Sequence, residues 1–392
     1  MKVLQTTNDL AINGAKPMFD DPRFVGKPNI GDKDYFISLV NEMFERKRLT
    51  NDGPFVKELE DKLLRFLNVK YAFAVCNATV GLQIAVRALK LEGEVIVPSF
   101  TFIATAHCLE WLGVKPIFVD VDPITYNLDT LAVKKAITPK TTGILGVHLW
   151  GRPCNIHSLE EIAKEHNLKL FFDAAHAFGC SYKNKMIGNF GSCEVFSFHA
   201  TKFFNTFEGG LITTNDSELA HKIKLMRNFG FTGIDKVESV GINAKMTEVC
   251  AAFGLTNLLD YNNILDTNKN NYYSYKTNLK GIKGIEILEY SSDELTNYSY
   301  IIIKISENEY GISRDKLCDI LNSENIVARK YFYPGSHKME PYLSDDFYEM
   351  ISLPITEDIC KMVLALPTNK NVCEDDIKQI CSIIDFAGKN AS

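Results

Sequence analysis

One lysine near the middle of the sequence stands out because its neighbours are mostly apolar. Lys202 lies in 194-EVFSFHATKFFNTFEGG-210, after a hydrophobic run at 195–198 and before a pair of phenylalanines. An amine next to aromatic side chains loses hydration, which lowers its pKa and frees it for Schiff-base chemistry. This stretch therefore favours a nucleophilic amine, and an ordinary solvated lysine is the alternative.

A second stretch, 171-FFDAAHAFG-179, contains a carboxylate and a histidine. Asp173 ends a strand-like hydrophobic run 29 residues before Lys202, and His176 follows three residues later. A carboxylate at this place needs a cationic or hydrogen-bonding partner, and helix capping would equally explain it. His176 and His199 could be metal ligands, but no Cys or His spacing typical of a metal site accompanies them, so no metal is predicted.

Two further stretches place polar residues at the start of predicted helices. In 76-CNATVG-81, Asn77 or Thr79 can cap a helix whose first N–H groups could bind an anion, and a simple helix cap is the alternative. The sequence has neither the glycine pattern of a P-loop nor that of a Rossmann fold. In 241-GINAKMTE-248, Asn243 and Lys245 lie just ahead of a helix, and the start of that helix alone would explain them.

The elements that must position these residues alternate between strands and helices. This alternation predicts a mostly parallel sheet flanked by helices on both faces. The last two strands are too close in sequence to be joined by a helical crossover. In such sheets ligands bind at the carboxyl ends of the strands, which is where the polar residues above are expected. The predicted strands are residues 71–75, 94–97, 117–121, 143–149, 170–172, 195–198 and 211–214.

The pattern of the sequence changes after about residue 245. A helical stretch at 246–261 leads into an Asn-rich polar segment, followed by strand-like IEIL and YIIIKI, a helix at 314–325 and a final helix at 374–384. We therefore predict two domains. Residues 1–250 form the large domain together with an N-terminal segment, and residues 251–392 form a smaller C-terminal α/β domain.

Composition excludes several classes of protein. The chain has 392 residues, 43 basic and 49 acidic, with a formal charge of -6, which argues against a nucleic-acid-binding protein. The first residues lack the apolar core of a signal peptide, and no apolar run approaches the roughly 18 residues of a membrane span. The ten cysteines are scattered without a C-x-x-C pair, as expected for a reduced, cytoplasmic protein without a membrane partner.

The combination of motifs resembles a known family. The chain is similar to the sugar-nucleotide aminotransferases of the DegT/DnrJ/EryC1/StrS group, within the aspartate aminotransferase-like, fold-type I superfamily that uses pyridoxal 5'-phosphate (PLP). PLP enzymes need a carboxylate for the pyridine nitrogen and a lysine for the aldehyde. The matching stretches are LTNDGPFVKELE, CNAT, GEVIVPSFTFIATAH, PIFVDVDP, GVHLWGRPC, FFDAAHAFG, EVFSFHATK, FEGG, MRNFGF, NAKMTE and RKYFYPGSHKMEPY.

The resemblance implies a role toward PLP for particular residues. Lys202 would bond to the aldehyde and Asp173 would pair with the pyridine nitrogen, both as catalytic residues. Phe102 would cover one face of the ring, His176 would lie beside it, Ala78, Thr79 and Ser197 would hold the phosphate, and Asn243 would come from a partner subunit. Many relatives have Ser-Gly-Thr at 77–79 and Gln at 176, so the phosphate contact requires a negative φ at Ala78.

The stretches HLWGRPC, FSFHATK and RNFGF are most similar in sequence to those of C4 aminotransferases. Those enzymes act on dTDP-4-keto-6-deoxy-D-glucose with L-glutamate as the amino donor and give dTDP-4-amino-4,6-dideoxy-D-glucose. Alternatives are a 3-aminotransferase, another keto-sugar aminotransferase or a dehydratase, although one dehydratase branch has His in place of the lysine. A non-catalytic PLP-binding regulator is a further alternative, and the chain lacks the basic DNA-binding extension that would support it.

Candidates for sugar-nucleotide contacts follow from charge and position. Lys245 and Arg329 could bind the pyrophosphate. Tyr331, Tyr333 and His337 could line the sugar or thymine pocket, although aromatic residues often only pack. A homodimer is expected because Asn243 should complete the site of the neighbouring subunit.

Overall fold

The computed structural model describes residues 3–390, and one large sheet organises most of them. The strands are β1 Arg23–Phe24, β2 Tyr71–Val75, β3 Glu94–Pro98, β4 Lys115–Val119, β5 Thr141–Val147, β6 Lys169–Asp173, β7 Ser181–Tyr182, β8 Lys185–Met186, β9 Glu194–Ser197, β10 Gly210–Thr214, β11 Phe231–Gly233, β12 Lys236–Val237, β13 Ile285–Ile287, β14 Ile301–Ile305, β15 Ile326–Val327 and β16 Val363–Leu366. The large sheet has seven strands in the order β2-β10-β9-β6-β5-β3-β4. Every strand is parallel to the others except β10, which runs antiparallel to both of its neighbours. The predicted mostly parallel, seven-stranded sheet is thereby confirmed.

Helices cover both faces of the large sheet. They are α1 Lys33–Arg46, α2 Pro54–Leu67, α3 Ala78–Ala88, α4 Ala104–Glu110, α5 Thr130–Ala136, α6 Ile156–Glu165, α7 Ser217–Arg227, α8 Glu248–Leu259, α9 Tyr261–Leu279, α10 Glu307–Tyr310, α11 Arg314–Ser323, α12 Glu340–Leu343, α13 Asp346–Glu349, α14 Pro354–Met362 and α15 Glu374–Lys389. Apolar residues of α1, α2, α6 and α8 pack on one face of the sheet, and those of α3, α4 and α7 on the other. Within residues 3–390 no helix combines the length and apolarity needed to cross a bilayer.

A distant carboxylate fixes the start of α2. The helix begins after Gly53, which offers no side-chain cap, and Pro54 is its first residue. The buried Glu248 side chain accepts hydrogen bonds from the N–H groups of Phe55 and Val56, at 3.0 and 2.9 Å. Those N–H groups have no partner inside the helix, so Glu248 supplies a cap from 193 residues away. This contact ties the start of α8 to the start of α2.

The smaller C-terminal unit is built around a three-stranded sheet, β13-β14-β16, packed by α9, α11 and α15. Residues from the N-terminal segment belong to the same core, since Leu10 and Phe19 are buried in it. The Glu324 carboxylate accepts hydrogen bonds from the N–H groups of Ala11 and Met18, both at 2.6 Å. The N-terminal segment therefore packs on the small unit, and β1 pairs with β15 there.

Packing around residue 250 bears on the proposed division into domains. Ala251, Ala252 and Leu255 of α8 lie in the core beneath the large sheet, together with Ile264 at the start of α9. The first core residues of α9 that join the small unit are Tyr272 and those after it. The division of the chain between residues 250 and 251 remains a proposal. The packing changes from the core of the large sheet to the core of the small unit within α9, between Ile264 and Tyr272.

Candidate active site

The carboxyl edge of the large sheet brings the predicted site residues together. Strands β2, β6 and β9 end at this edge, and β10 starts there because it is antiparallel. Gly210, the first residue of β10, is opposite Ser197 on one side and Val75 on the other. Asp173 at the end of β6 is opposite Val195 of β9. The end of β2, the start of β10 and the ends of β9 and β6 are therefore neighbours.

Lys202 lines a cavity at this edge. The cavity is lined by Ala175, His176, Phe178, Ser197, Lys202, Phe203, Phe204, Asn297, Ser299 and Tyr300. Loss of hydration lowers the pKa of Lys202 to about 8, and the carboxylate of Asp173 partly opposes this shift. Within residues 3–390 no carboxylate lies within 4.0 Å of the Lys202 amine. A substantial fraction of this amine is thus neutral near pH 7.5 and available as a nucleophile.

Asp173 is buried, and no cation between residues 3 and 390 lies within 4.0 Å of its carboxylate. Its Oδ2 accepts a hydrogen bond from the Thr105 hydroxyl at 2.8 Å, and its Oδ1 accepts one from the Ala175 N–H at 3.0 Å. Burial raises the pKa of Asp173, whereas these two hydrogen bonds and the charge of Lys202 lower it. Because burial is the largest of these effects, the charged form of the Asp173 carboxylate is stabilised by a cation placed beside it. A protonated pyridine nitrogen is such a cation.

His176 presents a neutral ring to the same cavity. Its Nδ1 accepts a hydrogen bond from the Trp150 N–H at 3.2 Å, so the ring proton is on Nε2. Burial, reinforced by the charge of Lys202, holds the pKa of His176 well below its usual range. Aromatic rings surround it, with the ring centroids of Tyr300 and Phe332 at 4.6 and 6.0 Å.

The helix that follows β2 begins with free backbone donors. The Asn77 side chain accepts from the N–H of Val80, at 2.9 Å, and caps α3. Within residues 3–390 the N–H groups of Ala78 and Thr79 have no protein acceptor, so they are available to an anion. Ala78 is the first helical residue and is not among those with positive φ, so alanine fits here as well as glycine.

Gly210 leaves the space in front of these donors open. A Cβ added to Gly210 would lie 2.9 Å from the Ala78 nitrogen and 2.8 Å from the carbonyl oxygen of Phe196. The Ser197 hydroxyl is directly across the sheet from Gly210 and accepts a weak hydrogen bond from the His199 N–H at 3.4 Å. Free N–H groups and a hydroxyl around a position without a Cβ form a cradle suited to a phosphate.

The predicted ring-covering residue and the predicted partner residue both lie at the surface of this chain. Phe102 follows β3, is 57% exposed, and has its ring centroid 6.4 Å from that of Phe332. Asn243 is exposed beside the outer edge of β2, where its Oδ1 accepts a 2.6 Å hydrogen bond from the Lys245 amine. Lys245 is mostly buried and also contacts the Phe229 ring, at 4.8 Å from its centroid.

The other residues that are predicted to bind the sugar nucleotide differ in their exposure to solvent. Arg329 is exposed and its guanidinium lies 5.0 Å from the centroid of the half-buried Tyr331 ring. Tyr333 is 51% exposed. His337 is fully buried and both ring nitrogens are occupied, Nδ1 by the Ser99 hydroxyl at 2.6 Å and Nε2 by Glu357 at 3.3 Å. In this arrangement the His337 ring is not accessible to a substrate and instead joins two segments of the protein.

Several residues that line or support the cavity were not singled out from the sequence. They are Thr105, Trp150, Asn297, Ser299 and Tyr300. Thr105 and Trp150 lie in stretches that carry the family resemblance, so that resemblance could have indicated them. The other residues precede a strand of the small unit, and only the fold brings them to the carboxyl edge of the large sheet.

The residues at this edge fit PLP. Lys202 offers an amine of lowered pKa, Asp173 offers a buried carboxylate, and Ala78, Thr79 and Ser197 offer donors to a phosphate. A mostly parallel sheet with this arrangement at its carboxyl edge defines a fold-type I PLP-dependent enzyme.

Comparison with known proteins identifies the family. The model of the DegT/DnrJ/EryC1/StrS aminotransferase family matches residues 31–385, and the chain belongs to this family of PLP-dependent enzymes. A dTDP-4-amino-4,6-dideoxy-D-glucose transaminase of Shigella dysenteriae is 40% identical, over 93% of this chain and 99% of that protein. An enzyme of the same name from Escherichia coli is 35% identical, over 92% and 97%. The crystal structure of DesI in the presence of its TDP-sugar product is 41% identical, with a TM-score of 0.93, covering 98% of this chain and 97% of that one.

Proposed function

We propose that the protein transfers an amino group from L-glutamate to C4 of dTDP-4-keto-6-deoxy-D-glucose and so makes dTDP-4-amino-4,6-dideoxy-D-glucose. The observation that carries the proposal is the desolvated Lys202 amine in the cavity, with the buried Asp173 carboxylate near enough for each charge to shift the pKa of the other group. The choice of sugar is supported by the similarity to the two transaminases of that name and to DesI with its TDP-sugar product.

Different residues of the chain have different roles in amino transfer. When bound, PLP supplies an aldehyde that reacts with amines and a ring that accepts electrons. Lys202 acts as the general base and acid that moves a proton at the reacting carbon, for which a pKa of about 8 is well suited. Asp173 keeps the pyridine nitrogen protonated. His176 offers an Nε2–H donor beside the ring, and Phe102 limits the ring's movement on its exposed face.

The phosphate and the sugar nucleotide are held away from the reacting carbon. The N–H groups of Ala78 and Thr79 and the Ser197 hydroxyl bind the PLP phosphate. Arg329 on the small unit and Lys245 beside β2 are the cations that we assign to the pyrophosphate. The exposed parts of Tyr331 and Tyr333 lie close to Arg329 in sequence and form the wall on which the sugar or base rests.

We further propose a cytoplasmic homodimer with shared sites. Asn243 lies at the surface of its own chain, beyond the outer edge of β2, which leaves its amide accessible to a second subunit. Exposed apolar side chains surround it on the segment 229–242 and include Phe231, Ile234 and Val240. An apolar surface of this kind is typical of a permanent interface. A cytoplasmic location is consistent with ten cysteines that are all free.

The decisive experiment is an assay with a defined sugar. The purified protein, supplied with PLP, glutamate and dTDP-4-keto-6-deoxy-D-glucose, should produce an amino sugar whose new amine NMR places on C4. Lys202→Ala should abolish steady-state turnover, whereas replacing the exposed Lys283 by alanine should not change it. An amine at C3, loss of a sugar hydroxyl without amination, or turnover by Lys202→Ala would each overturn the assignment.

A further inference from the structure

Asn297 connects the small unit to the loop that carries His176. It is fully buried, it lines the cavity of Lys202, and it lies four residues before β14. Its Nδ2 donates hydrogen bonds to the carbonyl oxygens of His176 and Phe178, at 2.8 and 3.0 Å. Its Oδ1 accepts one from the Ser299 N–H, at 3.1 Å. The side-chain amide therefore uses both of its hydrogens and its oxygen.

These contacts determine where the His176 ring points. The loop from Asp173 to Phe178 leaves the sheet and has to present one side chain to the cavity. The Trp150 N–H holds Nδ1 of the ring, and Asn297 holds the backbone carbonyl of the same residue. With both ends of His176 fixed, the Nε2–H has one orientation. An aspartate at 297 would place a carboxylate against two carbonyl oxygens, and an alanine would leave both oxygens without a donor.

Asn297 is in turn supported from the small unit. The Asn268 side chain on α9 donates to the Asn297 carbonyl oxygen at 3.2 Å and to the Ser299 hydroxyl at 3.4 Å. Both Asn268 and Asn297 are buried, so these contacts do not compete with water. A continuous set of amide hydrogen bonds thus runs from α9 to the carbonyl of His176.

We infer that Asn297 is a positioning residue of the PLP site, which fixes the His176 loop so that the Nε2–H of His176 faces the cofactor. The inference rests on the proposed place of PLP beside His176, and it does not depend on which sugar is the substrate. It makes the small unit part of the cofactor site through a residue whose side chain bonds the loop that follows β6.

The test compares two buried asparagines. Asn297→Asp and Asn297→Ala should weaken PLP binding about tenfold, because two buried hydrogen bonds to the loop are lost. They should also shift the pH midpoint of the visible band of the bound cofactor. Asn271 is the matched control, since it is buried and bonds Thr368 and Asn369 within the small unit. Asn271→Asp and Asn271→Ala should lower thermal stability but leave both cofactor readouts unchanged.

A double-mutant comparison separates positioning from general damage. If Asn297 acts through the His176 ring, Asn297→Ala should weaken PLP binding by less than about twofold in a His176→Ala background. PLP affinity is measured without any sugar, so a wrong sugar assignment leaves this result intact. Equal effects of the Asn297 and Asn271 variants, or an undiminished loss in the His176→Ala background, would overturn the inference.

Discussion

The reactivity of Lys202 in the protein freed of PLP provides a direct measure of how far the cavity removes hydration. An ordinary lysine has a pKa near 10.5, whereas burial lowers the pKa of Lys202 to about 8. At pH 7.5 roughly one Lys202 amine in four is then neutral, against about one in a thousand for the ordinary lysine, a gain of roughly 240-fold.

The Asp173 carboxylate opposes the lowering of the Lys202 pKa, so removing its charge should change that pKa in a predictable direction. The carboxylate favours the protonated amine and raises the pKa of Lys202 relative to burial alone. In Asp173→Asn the side chain keeps its size and loses its charge. We therefore expect the pKa of Lys202 in this variant to fall further, below 8, although the variant should have little transaminase activity.

Competitive acetylation followed by mass spectrometry measures the pKa of Lys202 in the wild type and in Asp173→Asn. The fraction of Lys202 acetylated by a trace of reagent is followed from pH 6 to 11, with the exposed Lys283 in the same digest as the reference. How easily the reagent reaches the cavity changes the maximal rate of acetylation, but it does not change the pH at which half of that rate is reached. The expected midpoint is about 8 for the wild type. A midpoint near 10.5, or an upward shift in Asp173→Asn, would refute the reasoning.

Three further experiments test the phosphate cradle, the contact between Glu248 and the start of α2, and the shared site. Gly210→Ala places a Cβ against the Ala78 nitrogen and should weaken PLP binding at least about tenfold, as measured by fluorescence titration. Glu248→Ala removes the cap of α2 and should lower the free energy of unfolding by about 1–3 kcal/mol, as measured in urea. An equal mixture of refolded Lys202→Ala and Asn243→Ala subunits should regain about a quarter of wild-type activity, because half of the dimers hold one intact site.

Each of these predictions has a control. Gly281→Ala, between α9 and β13, has open space around the new Cβ, so its positive φ should cost stability but leave PLP affinity unchanged, and an equal loss of affinity in both glycine variants would contradict the cradle. Glu248→Gln keeps an acceptor and should recover part of the lost stability, whereas full stability of Glu248→Ala would show that the cap is dispensable. No recovery in the mixed dimers would place Asn243 in its own subunit's site.

The sequence indicated the large sheet and the catalytic pair because each has a strong local signal. Apolar runs of three to seven residues separated by helical spacing allowed the seven strands to be predicted. The short distance between the last two excluded a helical crossover, and the structure shows that β9 and β10 are antiparallel. Lys202 and Asp173 were identified from hydrophobic flanks and spacing, and the structure brings them close enough for their charges to interact. Their individual roles toward PLP remain predictions.

Other features had no comparable signal. The sequence indicates a polar segment at 262–280, yet residues 262–279 belong to α9, where two asparagines place their amides inside the fold. Asn268 and Asn271 lie on the buried face together with Tyr272 and Tyr275. Strand β16 is a run of four apolar residues directly after α14, where a strand cannot be told from the end of a helix. The burial of His337 follows from long-range contacts that no local pattern encodes.

The placement of the N-terminal segment has a consequence for synthesis on the ribosome. Leu10 and Phe19 belong to a core whose other members extend to Ala387, so this core cannot close until nearly the whole chain has emerged. The large sheet, complete at Thr214, can form earlier. Between those two moments Leu10 and Phe19 lack their native contacts and stay exposed. These two residues are therefore made before the large sheet but buried after it.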